Sequence, residues 1–205
     1  MWDLETLPRL DREFYARSAL HVAPDLLGCT FAKREQDGSL CAGIIVETEA
    51  YTGDDPACHA FRGESPRCRV MFGEPGNAYV YFTYGMHFCF NVVTSLPGCG
   101  EAVLVRAVEP CVGATIMATR RGTAVTPSRR QQPNFLCGGP ARLCQAFGID
   151  LSFNGASLLG ETPIVIYGRP PNYTPNVSAT ARIGISRAKE QLWRFVVTNS
   201  RYLSR

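Results

Sequence analysis

The tightest constraint on the fold lies in residues 29–51, where the runs CTFAKRE and LCAGIIVETEAY flank the tetrapeptide QDGS. Asp-Gly between two apolar runs is a β-hairpin signal, because glycine supplies the positive φ that a tight turn demands. A second pair follows after an irregular Gly- and Pro-bearing stretch, residues 52–76. Here AYVYFTY (78–84) and MHFCFNVVT (86–94) alternate side chains around Gly85, and EAVLVRAVEP (101–110) reads as another strand. TPIVIY (162–167), TARIGIS (180–186) and WRFVVT (193–198) read as the remaining strands. A curved antiparallel sheet is the expected product.

Helices are expected around it. DREFYARSALHVAPDLLG (11–28) has apolar residues at helical spacing, with Asp11 as N-cap and Pro24 separating two short helices. Residues 112–121 form a third. In CGGPARLCQAFGI (137–149), Gly-Gly-Pro precedes a periodic apolar run, so Pro140 is placed in the first turn of a fourth. TAVTPSRRQQPN (123–134) is polar, basic and Pro-bearing, hence a mobile loop. No repeat, low-complexity block or linker interrupts the 205 residues, which predicts one α+β domain over residues 1–205 with flanking helices.

Charge is unevenly placed. Residues 1–110 hold 9 basic and 15 acidic residues, whereas residues 111–205 hold 12 and 3, which suggests a face made for an anionic partner. Nineteen of the 21 basic residues are arginine, suited to forked hydrogen bonds with phosphate, although arginine-rich codon usage gives the same bias. No apolar run approaches the ~20 residues that cross a bilayer, and acids interrupt the N-terminus too early for a signal peptide. A soluble, intracellular protein without a membrane partner is expected, in a bacterial cytoplasm and nucleoid or a eukaryotic nucleus. The nine cysteines then read as reduced thiols. A zinc site from Cys58, His59 and Cys68 is one alternative, though the ligand spacing is unlike a zinc finger's.

In IIVETEAY a period of two puts Glu47, Glu49 and Tyr51 on one face. Acids at the end of an apolar strand mark either a pocket or an exposed edge strand. His59 follows, then Tyr79, Tyr81 and Tyr84, any one of which could be ordinary sheet core. Together, a carboxylate able to activate water, flat side chains able to stack on a base, and many arginines describe a base-flipping hydrolase. A metal-dependent hydrolase and a non-catalytic binder of distorted DNA are the competing classes.

VETEAYTGDDPACHA, VMFGEPGNAYVYFTYGMHFCFNVV, AVLVRAVEP, GGPARLCQAFGI and RIGIS…WRF resemble, in order and spacing, the alkyladenine (3-methyladenine) DNA glycosylase family of the vertebrate type, over residues 11–195. The resemblance implies a curved antiparallel sheet with a protruding β-hairpin that enters the minor groove. It implies Glu49 as general base for the attacking water and Arg106 near the water and the sugar-phosphate. Tyr51, His59 and Tyr81 match the stacking pocket, and Asn91 matches the amide that contacts the base and disfavours a guanine 2-amino group. Tyr84 matches the wedge that fills the gap left by the flipped nucleotide, with Met86 beside it. Arg142 stands where vertebrate members have lysine and, with Arg67 and Arg69, is expected to contact phosphate. His87 replaces a tyrosine beside the wedge, and the loop between His59 and Arg67 is one residue shorter.

The expected partner is double-stranded DNA carrying damaged purines: 3-methyladenine, 7-methylguanine, hypoxanthine or ethenoadenine. The protein is expected to act as a monomer, without metal or other cofactor. Strand-cleaving glycosylases use an amine nucleophile, and the only lysines, Lys33 and Lys189, lie outside the matching ETEAY and YVYFTYG blocks. A monofunctional enzyme that hydrolyses the N-glycosidic bond with water is therefore expected.

Overall fold

The computed structural model describes residues 4–83, 85–123 and 133–204. The first hairpin forms as expected from β1 (Thr30–Arg34) and β2 (Leu40–Tyr51), with Thr30 opposite Ile44 and Arg34 opposite Leu40. The second consists of β3 (Ala78–Thr83) and β4 (His87–Thr94). At its turn Gly85 adopts φ +70°, a conformation glycine takes without steric cost. The next strand is β5 (Glu101–Val112), and β6 (Ile164–Tyr167), β7 (Val177–Thr180) and β8 (Arg194–Val197) complete one eight-stranded sheet. The order is β3-β4-β5-β2-β1-β6, every pairing is antiparallel, and β8 joins β2 to β7.

The spine is β2. One edge pairs with β5, while the other pairs first with β1 and then, from Glu47 to Glu49, with β8. The exposed-edge reading of its acids is thereby excluded: both Glu47 and Glu49 are fully buried.

Helices cover the main core. Asp11 caps α1 (Arg12–Tyr15) by accepting from the Phe14 amide at 2.9 Å. Ser18 caps α2 (Ala19–Asp25). Pro24 lies inside α2 rather than between the two helices, because the break is made by the Ser18 cap. With no N–H to give the Leu20 carbonyl, Pro24 falls in the last turn, and the helix ends at the next residue. The others are α3 (Ala114–Arg120) and α4 (Pro140–Phe147), the latter with Pro140 at its first position as expected. Phe31 is fully buried in the core, with ring centroids 5.1 Å from Phe90 and 4.9 Å from Phe147, in one cluster with Val22, Leu26 and Leu143. No described helix is long and apolar enough to cross a membrane. Most of the segment 123–134 expected to be a mobile loop, namely 124–132, lies outside the described residues.

TARIGIS is not a strand. Only its first residue belongs to β7, and residues 181–188 form a loop whose apolar alternation mimics strand periodicity. Single polar contacts to β2 replace a ladder there: Arg182 enters the interior and donates to the Ala50 carbonyl, and the Ile183 amide donates to the Glu49 side chain.

The acidic end of β2 is positioned by a paired irregularity. Ile45 faces Val108, Glu47 faces Ala107 and Thr48 faces Val105, so Val46 is an extra residue on β2 and Arg106 an extra residue on β5. Strict alternation would put Glu47 on the face of Ile45, which belongs to the main core. The bulge reverses the parity. Ile45, Thr48 and Ala50 then serve the helix-covered side, where Thr48 donates to the Ala23 carbonyl at 2.8 Å. Glu47, Glu49 and Tyr51 turn to the other.

Candidate active site

On that other side Glu49 is met by three groups. Its Oε1 accepts the Ile183 amide at 2.8 Å; its Oε2 accepts the Tyr51 hydroxyl at 2.8 Å and lies 3.2 Å from Arg106 Nη1. Each carboxylate oxygen has two lone pairs. Oε1 therefore retains acceptor capacity, and Glu49 is held in place with one lone pair left for a further donor. Tyr51 remains a phenol, since burial and then the neighbouring Glu49 push its ionisation far up.

Arg106 reaches into a second buried carboxylate. Its Nε donates to Glu47 at 2.8 Å and its Nη2 to the Ser204 hydroxyl at 3.2 Å. Glu47 also accepts from Arg194 Nε at 2.7 Å and from the amide and hydroxyl of Ser204, each at 2.6 Å. Burial pushes the Glu47 carboxyl up, but the Arg194 bond, Arg106 and Ser204 together hold it below its ordinary value.

Above these acids opens a pocket of about 580 Å³. Tyr51, His59, Tyr79 and Tyr81 supply its aromatic surface, with His59 and Tyr81 ring centroids 4.6 Å apart and Tyr79 and Tyr81 5.4 Å apart. Arg106, Asn91 and Ile183 line it too. His59 Nδ1 lies 2.8 Å from the Tyr79 hydroxyl. Tyr79 accepts from Arg67 and stays protonated, with burial as the main cause. Arg67 sets its guanidinium 5.5 Å from the centre of Tyr81, and Arg187 and Pro140 are also part of the lining. No acid lines the pocket among the described residues, and the room suits one flat heterocycle.

A profile described as Methylpurine-DNA glycosylase (MPG) matches residues 13–201. The chain belongs to the methylpurine-DNA glycosylase family. It is a DNA glycosylase, a hydrolase of N-glycosyl bonds, and its substrate is DNA. A protein of Carboxydothermus hydrogenoformans named "Putative 3-methyladenine DNA glycosylase" is 50% identical over 196 residues, 96% of this chain and 98% of its own. Proteins of the same name from Methanoculleus marisnigri and Chlorobaculum tepidum are 48% and 43% identical, each over at least 96% of this chain and 92% of their own.

The glycosylase brings Glu49, Tyr51, His59, Tyr81, Asn91 and Arg106 together as a single site. Asn91 is buried and donates from Nδ2 to the Tyr79 carbonyl at 3.0 Å, which fixes the amide. Met86 is 70% exposed beside Gly85, while Tyr84, the expected wedge, lies outside the described residues. Arg142 is exposed in the first turn of α4, next to the pocket-lining Pro140. Arg69 is exposed too, 3.1 Å from Glu64, and does not line the pocket.

The metal alternative finds no geometry. His59 turns Nδ1 to Tyr79, Cys58 donates to the Gly100 carbonyl and Cys68 to that of Gly63. Among the described residues no three His, Cys, Asp or Glu side chains gather so as to hold an ion.

Sequence reading gave no role to Asp55 and Arg182, which form a fully buried bidentate pair behind the pocket. The Arg182 guanidinium also donates to the Ala50 carbonyl and lies between two rings, 4.8 Å from Tyr51 and 5.1 Å from Trp193. It backs the stacking face of Tyr51. An arginine inside the apolar alternation RIGIS was the available signal, since a strand would have had no reason to bury it.

Proposed function

We propose that this glycosylase is a monofunctional 3-methyladenine DNA glycosylase of base excision repair, acting as a monomer on duplex DNA. A damaged purine is flipped from the stack into the pocket between Tyr51, His59 and Tyr81, and Glu49 activates a water that displaces it, leaving an abasic site. Tyr84 and Met86 fill the gap in the stack, and Arg142, Arg67 and Arg69 contact phosphates. Asn91 contacts the base. 3-Methyladenine, 7-methylguanine, hypoxanthine and ethenoadenine are the purines proposed to enter.

The observation that carries this reading is a wholly buried carboxylate beside an aromatic pocket, restrained by three donors and still able to accept one more. An anion there also favours the positive charge that develops on the sugar. The relatives' printed name supports the methylpurine substrate. Neither lysine lines the pocket: Lys33 is buried against Glu35 in β1, and Lys189 is exposed beyond the loop that contributes Arg187.

The test incubates the protein with a duplex carrying a single hypoxanthine or 7-methylguanine. Free base should appear with an intact strand that breaks only after alkali, and borohydride should trap no covalent adduct. A trapped adduct, or direct strand cleavage, contradicts the water mechanism. Duplex bound without base release leaves only a binder of distorted DNA.

A further inference from the structure

Glu47 does not line the active-site pocket, yet it is fully buried and accepts four hydrogen bonds. A carboxylate taken out of water is costly unless its lone pairs are met, and an apolar residue would fill the same space more cheaply. Each of its partners belongs to the active-site frame. Arg106 carries on to Glu49, the Ser204 hydroxyl accepts from Arg106 Nη2, and Arg194 stands opposite Glu49 in the β2–β8 ladder.

Held by Glu47 at Nε and by Ser204 at Nη2, Arg106 has Nη1 left for Glu49. The charges also balance, with two carboxylates against Arg106 and Arg194. Glu49 faces Arg106 from β5, Tyr51 from its own strand, Cys89 from β4, and Arg182 with the Ile183 amide from the 181–188 loop. Arg182 is matched by Asp55, which leaves Arg106 as the cation acting on Glu49 and Glu47 as the anion that shares it.

We infer that Glu47 is a positioning residue for hydrolysis: it aims Arg106 at Glu49 and shares the Arg106 charge with it. The inference rests on the proposed role of Glu49. Without Glu47, Arg106 pairs with Glu49 alone. The Glu49 carboxylate is then over-stabilised and its basicity falls.

Single-turnover excision measured against pH tests this in the full chain, with Glu47→Gln, Glu47→Asp, Arg194→Gln and Glu49→Gln. Glu47→Gln should lower the maximal rate by about 10²-fold, the loss typical of a misaimed catalytic group. Its acid limb should move to lower pH while affinity for the lesion duplex holds. Glu47→Asp, which keeps the charge, should restore the position of the acid limb. Arg194→Gln removes a cation instead and should move the limb to higher pH, an opposite displacement that loss of folding cannot produce. If Glu47→Gln does not fold, Arg194→Gln decides. Acid limbs that superimpose on wild type, or rate losses matched by equal losses of DNA affinity, overturn the inference. If Glu49→Gln itself excises at the wild-type rate, the assignment of the base fails instead, and the two failures are told apart.

Discussion

Because His59 stands against Tyr79, Tyr81 and Arg67, its imidazole is pushed down to about 4, first by desolvation and then by the Arg67 guanidinium. The unfolded value is roughly 6.5. Above that pH the ring is neutral in both states. As pH falls from about 6.5 toward about 4, the unfolded chain takes up a proton that the folded chain refuses, so folding stability declines through that window. The ring opens to solvent on the pocket side, which keeps the effect small while leaving its sign fixed. An NMR titration should give the His59 ring a midpoint well below 6.5, and His59→Gln should flatten the decline of stability; a midpoint near 6.5 contradicts the account. At this scale the sequence was informative where the chemistry is local. ETEAY, His59 and the tyrosines were legible as a set because a carboxylate beside aromatics is an unusual cluster. The contact of His59 Nδ1 with the Tyr79 hydroxyl was not, since it exists only once the loop after β2 packs on β3.

The 181–188 loop is the element on which the site most depends. Its Arg182 anchors on Asp55 from the loop after β2, and its Ile183 amide fixes Glu49. Replacing Asp55 with Asn leaves a buried guanidinium short of its counter-charge, and breaking such a pair costs about 3–5 kcal/mol. Chemical denaturation should show a loss of that order, and in folded Asp55→Asn protein excision should fall with the backing of Tyr51. A change within about 0.5 kcal/mol, the range of ordinary surface substitutions, would mean the pair does not hold the loop. The strand reading of RIGIS failed because period-two alternation says nothing of a buried ion pair between residues far apart in sequence. The same limit hid the bulges at Val46 and Arg106: they decide which way Glu47 points, and they exist only in the pairing of β2 with β5. The hairpins and the start of α4 were legible because Asp-Gly, Gly85 and Gly-Gly-Pro act within a few residues.

Across the whole molecule, the uneven charge resolves into two uses. Arg120, Arg182 and Arg194 from the basic half pair internally with Glu35, Asp55 and Glu47 from the acidic half, so part of the asymmetry holds the fold rather than a partner. What remains outward from the basic half includes Arg142 and Arg187, which are exposed on or beside the pocket lining, where Arg67 of the other half joins them. Each phosphate neutralised on DNA adds roughly 0.9 to the negative slope of log affinity against log salt. Arg142→Ala should therefore flatten that slope by about one; an unchanged slope would show that the N-terminus of α4 faces away from DNA. The central claim is that this surface delivers a purine to a pocket where Glu49 turns water into the nucleophile. Its most direct test is Glu49→Gln, which keeps size and hydrogen bonding and removes the charge, assayed by single-turnover excision alongside duplex affinity. General-base catalysis contributes about 10²–10⁴-fold, so excision should fall by that factor with affinity preserved, whereas near-normal excision by the variant would contradict the account.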